Sequence, residues 1–233
     1  MIDRIYTEDQ ISQLPEHGVE AQKIRALWFA YGSRWDFCRF FRQGSGFLAA
    51  LDGSYVICET KDTDFEEIAK FLVVCGFSDI ICSEHAGKVL SSFMNVNLHT
   101  VNLMTYAGDK AKEELTLEVQ PSEIWDIIEK RFSPAFEPWY LDMSHRVRHG
   151  VSKCFSDGKA ALAVQHDING EALISQVCVL AEEEGKGYAS ALLRKICGGL
   201  NSKVQIICED NLCRFYEKNC FIHSDKLCIL TPQ

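Results

Sequence analysis

From Val177 to Ala189 the sequence reads Val-Cys-Val-Leu-Ala-Glu-Glu-Glu-Gly-Lys-Gly-Tyr-Ala. An apolar strand pattern enters a turn with two glycines and opens onto helix-forming residues. Such a junction exposes backbone N–H groups at a helix N-terminus, where the partial positive charge suits a phosphate or pyrophosphate. Gly185 and Gly187 let an anion approach the backbone, and Ala189 keeps the first helical turn narrow. Lys186 can offset part of the charge of Glu182, Glu183 and Glu184. Two nucleotide-binding patterns use the same physics, and neither fits. A P-loop needs Ser or Thr after Gly-Lys, and here Gly187 follows Lys186. A dinucleotide fold wants glycine where Ser190 stands; Glu209 lies about 20 residues on, but further β–α units are lacking. Taken alone, the loop also reads as an ordinary strand-to-helix turn.

The other chemical side chains are less specific. There are eleven cysteines in 233 residues, an odd count in a chain without an export signal, which argues against a disulfide framework. Cys58, Cys75, Cys82 and Cys178 fall inside apolar patterns, where a thiol acts as a small hydrophobe. Cys208, Cys213, Cys220 and Cys228 are separated by four, six and seven residues, unlike the C-x-x-C pairs of structural zinc, so no metal is expected. Ser144-His145-Arg146-Val147-Arg148-His149 is the conspicuous basic cluster. Its histidines are one turn apart, without the glutamate of a zinc protease, and a solvated helical face is the expectation. Lining an acceptor site or bridging domains is the alternative. A net charge of −9 argues against nucleic-acid affinity and fits a cationic or amine-bearing partner. No apolar run approaches the roughly 18 residues of a membrane helix, and Met1-Ile2-Asp3-Arg4 does not begin a signal peptide. No membrane association and a cytoplasmic location are therefore expected.

The elements that must position these groups read as a mixture of α and β. In the first half, a helix at Ala21–Tyr31 precedes strands at Phe37–Arg42, Phe47–Leu51 and Ser54–Glu59. Asp64 can cap a helix to about Val74 with Gly76 as its stop, and strands follow at Ser78–Cys82 and His99–Tyr106. The polar stretch Ala107–Glu114 is the linker candidate. Helices at about Ser122–Arg131 and Trp139–Arg148 come next, then strands at Val151–Phe155, Ala160–Gln165 and Ala172–Val179. Helix, strand, helix and strand follow at Lys186–Cys197, Lys203–Cys208, Asn211–Lys218 and Phe221–Leu230. The fold class is α/β, with a mixed sheet holding both antiparallel and crossover pairs. The similar order of the two halves allows an internal duplication, although no residue-level repeat is visible.

Two segments together resemble the GNAT acyltransferase superfamily. The first is the loop with Glu182, Gly185, Gly187 and the run Gly-Lys-Gly-Tyr-Ala. The second is Asn211-Leu212-Cys213-Arg214-Phe215-Tyr216-Glu217-Lys218-Asn219-Cys220-Phe221, similar to that family's Asn, Phe-Tyr-Glu-Lys and Gly-Phe signature. The resemblance covers about Val151–Leu230. It implies a GNAT-like acyl-CoA N-acyltransferase fold in the C-terminal half, with acetyl-CoA as co-substrate. Its pantetheine arm would pair with the strand segment Val177, Cys178 and Val179. Its pyrophosphate would sit over Gly185, Lys186, Gly187, Tyr188, Ala189 and Ser190. Asn211 matches a position that contacts the arm, with a helix N-cap as the alternative. Tyr216 matches a tyrosine near the thioester sulfur that protonates the departing thiolate, with a packed aromatic as the alternative, a role Phe215 fits better. Glu171 or His166 are base candidates without a motif behind them.

Two departures from the pattern stand out. Glu182 replaces a polar or basic residue. Cys220 replaces a glycine, so that turn is expected to avoid positive φ. The expectation is an N-terminal α/β domain over 1–112, a degenerate GNAT-like half without cofactor binding, and an acetyltransferase domain over 113–233. The acceptor would be an amine-bearing small molecule or peptide. A non-catalytic CoA-binding protein or an interaction module keeping only the fold is the alternative.

Overall fold

The computed structural model describes residues 1–110, 115–132 and 135–233. By contacts the chain divides into two compact units, Met1–Asn102 with Asp225–Gln233, and Leu103–Ser224. Of the stretch read as a linker, Ala107–Lys110 lies in the second unit, and residues 111–114 fall outside the described residues.

The first unit begins with β1 (Ile2–Arg4), α1 (Glu8–Ile11), α2 (Val19–Tyr31), β2 (Cys38–Gln43), β3 (Gly46–Leu51) and β4 (Ser54–Cys58). It continues with α3 (Phe65–Cys75), β5 (Asp79–Ser83), α4 (Glu84–Leu90) and the start of β6 (Val96–Tyr106). Strands β1 to β4 form an antiparallel meander, β5 returns parallel to β4, and Leu227–Leu230 pairs antiparallel with β5. Fully buried Ile24, Phe40, Phe47 and Ala49 fill one core, and Leu48, Tyr55, Ile57, Leu72 and Ile80 fill another. Leu48 and Ala49 are neighbours on β3 that enter different cores, as the alternation of a strand requires. Sequence periodicity misses β1, α1 and α4, all short.

The second unit contains β7 (Glu118–Val119), α5 (Pro121–Phe132), α6 (Phe136–Arg148), β8 (Lys153–Ser156), β9 (Ala160–Ile168) and β10 (Glu171–Val179). Then come α7 (Tyr188–Gly199), β11 (Lys203–Cys208), α8 (Asp210–Glu217) and the start of β12 (Phe221–Pro232). Strands β7 to β10 are again antiparallel neighbours, and β11 is parallel to β10. The sheet has two different faces. Leu162, Ile174, Val177 and Val179 pack with Leu192, Leu193 and Ile196 of α7 and Phe215 and Tyr216 of α8. Ala161, Ala163, Cys178 and Leu180 pack with Ile124, Trp125 and Ile128 of α5 and Trp139 and Met143 of α6. Each fully buried Leu or Ile here contributes about 1.5–3 kcal/mol.

Ala, Leu, Arg and Lys favour α7 locally, and three carbonyls at its end accept from Lys110. Its Nζ donates to Cys197, Leu200 and Ser202 oxygens at 3.3, 2.9 and 2.8 Å, satisfying groups that a helix C-terminus leaves open.

The two element orders coincide. The ten-element order β-α-α-β-β-β-α-β-α-β runs once from β1 to β6 and again from β7 to β12. The repetition is plain in the order of elements while no residue repeat accompanies it. Both parallel pairs, β4 with β5 and β10 with β11, follow the third strand of a meander through one helix.

Candidate active site

Strand β10 changes partners along its length. Glu171–Ile174 pairs with Lys203–Ile206 of β11, and the ladder ends there. On its other side β10 stays paired with β9 as far as Val179 opposite Ala160, with irregular register around Ile174 and Gln176. Ser175 is the extra residue at that bulge, which bends the strand as bulges do. The half of β10 from Ser175 onward therefore has one edge without a β11 partner.

Strand alternation tells which groups line that edge. Leu180 N–H donates to Lys159 oxygen at 2.9 Å, so Cys178 and Gln176 exchange bonds with β9 in the same phase. Val177 and Val179 turn their N–H and C=O groups the other way, to the open edge. Ala160, opposite Val179, spends its own backbone groups on Asp157 and Ser156 instead. Of the three expected strand residues, Val177 and Val179 can offer backbone to an extended ligand. Cys178 cannot: its backbone serves β9, and its buried thiol, pushed up to about 12 by desolvation, belongs to the α5–α6 core.

At the end of β10 a single 3-10 turn, Ala181–Glu183, leads into the glycines. Gly185 and Gly187 have φ of +76° and +88°, and apart from their chain neighbours no described residue comes within 4 Å of the place where a side chain would begin. Gly187 is the N-cap of α7 and has no side chain with which to cap it. The first intrahelical bond is Ala191 N–H to Gly187 oxygen at 3.0 Å, so the N–H groups of Tyr188, Ala189 and Ser190 are left without a partner among the described residues. Gly185, Lys186 and Gly187 are exposed, and Tyr188, Ala189 and Ser190 are half-buried. Of the three glutamates, Glu182 and Glu184 are exposed, while Glu183 binds Lys186 at 3.0 Å.

Two residues not expected from the sequence join this loop. Lys159 Nζ donates to the Tyr188 hydroxyl at 2.6 Å and lies 4.4 Å from its ring centroid. The bond to Tyr188 raises the Lys159 pKa, leaving a cation beside the helix start. Asn219, 1% exposed, donates through Nδ2 to Ser190 Oγ at 3.2 Å and to Phe215 oxygen at 2.8 Å, clamping the start of α7 to the end of α8. Asn219 stands inside the second signature, but its partner Ser190 is 29 residues away, so no local pattern points to the pair.

Tyr216 is 6% exposed and packs edge-on against Phe215 and Phe221 at 5.1 and 5.6 Å. This corrects the expectation that Phe215 is the packing member of the pair: Phe215 is half-buried and Tyr216 is buried. Burial raises the Tyr216 pKa well above its ordinary value, helped by the neighbouring Cys208 and Cys197. Tyr216 shares its core with Val177 and Val179.

Three further expectations are corrected. Asn211 is not the cap of α8; Glu209 holds that position, and Asn211 is exposed inside the first turn. Cys220 does adopt positive φ, +66°. Its turn is held by Cys220 N–H to Glu217 oxygen and Ala107 N–H to Cys220 oxygen, at 3.1 and 2.7 Å. The basic cluster is not wholly a solvated face: Arg146 is 5% exposed and its Nε donates to Asp142 at 2.7 Å. His166 and Glu171 are both buried. Glu171 is six residues before Val177, about 20 Å along a strand, too far to take a proton at the open edge. Among the described residues, no three His, Cys, Asp or Glu side chains gather as a metal site, and all eleven cysteines are free. None of the helices described is long and apolar enough to cross a membrane.

The first unit builds the same junction differently. Strands β4 and β5 pair only over Ser54–Val56 with Asp79–Ile81. The following loop closes on itself, with Thr63 Oγ1 accepting from Thr60 N–H at 2.8 Å and Gln43 accepting from Asp64 N–H at 2.9 Å. Asp64 caps α3 by accepting from Glu67 N–H at 3.0 Å, and Glu66 and Glu67 follow in the first turn. Carboxylates stand where an anion would bind.

Solved structures share this architecture over the whole chain. An acetyltransferase of the GNAT family from Colwellia psychrerythraea matches with TM-score 0.56 and 12% identity, covering 100% of both chains. The chain has the GNAT acetyltransferase fold. A GCN5-related N-acetyltransferase from Kribbella flavida matches at 0.58 and 15%, over 93% of this chain and 96% of that one. A tandem GNAT protein from the clavulanic acid biosynthesis pathway matches at 0.53 and 12%, over 99% and 97%. No family model and no curated protein matches the sequence. At these identities the GNAT likeness is one of fold.

Proposed function

We propose that the protein transfers an acetyl group from acetyl-CoA to an amine, using the second unit as the catalytic half of a tandem GNAT arrangement. The observation that carries this reading is the junction at β10. A strand loses its parallel partner after Ile174, and the same strand ends in an uncapped, glycine-opened helix start. A thioester co-substrate bound there supplies the activated acetyl group. Val177 and Val179 would pair with its amide-bearing arm through their outward backbone groups. The N–H groups of Gly185 and of Gly187 to Ser190 would receive its pyrophosphate, with Lys186 and Lys159 as nearby cations. Asn211, exposed on α8, remains available to the arm.

Tyr216 is the proposed acid. As the amine nitrogen bonds to the thioester carbonyl carbon and the C–S bond breaks, the phenol gives its proton to the departing sulfur, and the proton the nitrogen then sheds restores the phenol by way of solvent. The tandem reading follows the repeated element order and the similarity to a protein described as a tandem GNAT. The self-capped loop of the first unit fits a half that has no cofactor.

Calorimetric titration with acetyl-CoA tests the proposal. We expect one site per chain and a loss of at least about tenfold in affinity in a Gly187→Trp variant, roughly 1.4 kcal/mol. No binding by the unaltered protein would overturn the cofactor assignment. Binding without turnover on any amine would leave a CoA-binding protein that does not catalyse.

A further inference from the structure

Helix α8 begins with two thiols in positions that a helix start makes neighbours. Glu209 is its N-cap, so Cys208 stands one place before the cap and Cys213 is the fourth helical residue. Side chains at these two positions pack against each other and fix the angle at which the chain enters its helix. Hydrocarbon side chains ordinarily make that staple; here thiols make it, packing as small hydrophobes. The contact is present in the fold. Both residues pack in the core that holds Tyr216, and the two thiols lie within hydrogen-bonding reach of each other. Cys213 Sγ also donates to the carbonyl oxygen of Glu209, the residue next to Cys208, at 3.7 Å, and Cys208 Sγ to Met104 Sδ at 3.6 Å.

The two thiols differ in access. Cys208 is 5% exposed and Cys213 is half-buried. Burial, ahead of the influence of Cys213, raises the Cys208 pKa, so little of it is thiolate and Cys213 is the sulfur that meets a reagent first. Their place matters as well. Cys208 lies just beyond Ile206, where the ladder between β10 and β11 ends, and Tyr216 is on the same helix as Cys213. Cys208 is among the groups that raise the Tyr216 pKa, which puts it beside the proposed acid.

We propose that Cys208 and Cys213 are a redox-modification site, a helix staple that a low-molecular-weight disulfide converts to a covalent bond. The Cys213 thiolate attacks one sulfur of that disulfide, forming a mixed disulfide and expelling the other half as a thiolate. The Cys208 sulfur, giving its proton to solvent, then attacks the Cys213 sulfur, and the second half leaves. Two protein thiols are oxidised to one disulfide, and the small disulfide is reduced to two thiols, which take up the protons. A disulfide holds its sulfurs at about 2.0 Å, inside the contact distance of two free thiols. Closing it therefore pulls the first turn of α8 toward the end of β11 and displaces Tyr216. That this slows chemistry rests on the acetyl-transfer reading; formation of the bond does not.

Oxidation with glutathione disulfide at mildly alkaline pH, then alkylation with iodoacetamide in denaturant and digestion with trypsin, tests the bond. Both cysteines fall in one tryptic peptide, residues 204–214. That peptide is expected to be unalkylated and lighter by two hydrogens, and to become doubly alkylated when dithiothreitol precedes the iodoacetamide. Cys220→Gly, at an exposed position of positive φ, should leave this result unchanged. Peptide 204–214 carrying glutathione, joined to another cysteine peptide, or fully alkylated after oxidation would each overturn the proposal. In the oxidised protein kcat should fall at least about tenfold, as with a misplaced catalytic group, and return with dithiothreitol. Cys213→Ala, which keeps an apolar side chain at the staple, should be as active with the oxidant as without it. A bond that forms without lowering kcat would overturn its role as a switch. A protein that forms the bond but turns over no amine keeps the modification site and loses the transfer reading. A protein that turns over an amine but forms no bond does the reverse.

Discussion

As the proposed acid, Tyr216 must hold its proton at the working pH, and burial keeps it neutral beyond the ordinary range of a phenol. Desolvation favours the neutral form and raises its pKa, so Tyr216 stays protonated through the neutral and mildly alkaline range. The rate is therefore expected to rise with pH as the acceptor amine loses its proton, with no decline from Tyr216 below about pH 10. Removing only the hydroxyl keeps the ring that packs against Phe221. Tyr216→Phe should lower kcat by about 100-fold or more, as loss of a general acid does, while acetyl-CoA affinity stays within about twofold. Steady-state kinetics alongside calorimetry separate the two effects. An unchanged kcat would make Tyr216 a core aromatic and nothing else.

At the scale of elements, the contrast between the two strand–helix junctions carries the argument. Helix α7 starts at a glycine in the left-handed region with its first N–H groups unused, whereas α3 starts at Asp64, whose carboxylate already accepts one of them. The two helices follow equivalent strands in a repeated order, so the difference is one of capping chemistry. A capped and acidic helix start repels an anion, and an open one attracts it. Asp64→Ala should cost about 1 kcal/mol of stability, read from a urea midpoint. It should leave the acetyl-CoA stoichiometry at one, because Glu66 and Glu67 remain. Two sites per chain, in either protein, would show that the first unit is not closed to the cofactor.

For the molecule as a whole, the thiols set a pH limit on stability. Desolvation pushes Cys58, Cys154, Cys178 and Cys197 from 9.0 up to about 12. Below pH about 9 these groups are protonated in both states and add no pH dependence. Between about 9 and 12 the unfolded thiols lose protons that the folded ones keep, so the unfolded state binds fewer protons and stability falls as pH rises. Under reducing conditions the unfolding free energy should drop by at least about 2 kcal/mol from pH 8 to pH 10. A flat profile would mean that these thiols are not shielded from water.

Much of this protein is decided by short-range physics and is legible in its sequence. Apolar spacing marks most strands and helices, Asp64 and Gly76 mark the ends of α3 as found, and the two glycines mark the opening of α7. The fold class follows from that order. Tertiary structure decided the rest, because strand pairing and side-chain clamps join residues far apart in sequence. No local pattern reveals that β10 leaves β11 after Ile174, that Lys159 reaches Tyr188, or that Asn219 reaches Ser190. The same holds for Trp139 bonding Gln176 and for Asp225–Gln233 folding with the first unit. Cys220 shows the limit most directly: a side chain argues against positive φ, yet the hydrogen bonds on both sides of the turn hold it there, at a cost of about 1–2 kcal/mol.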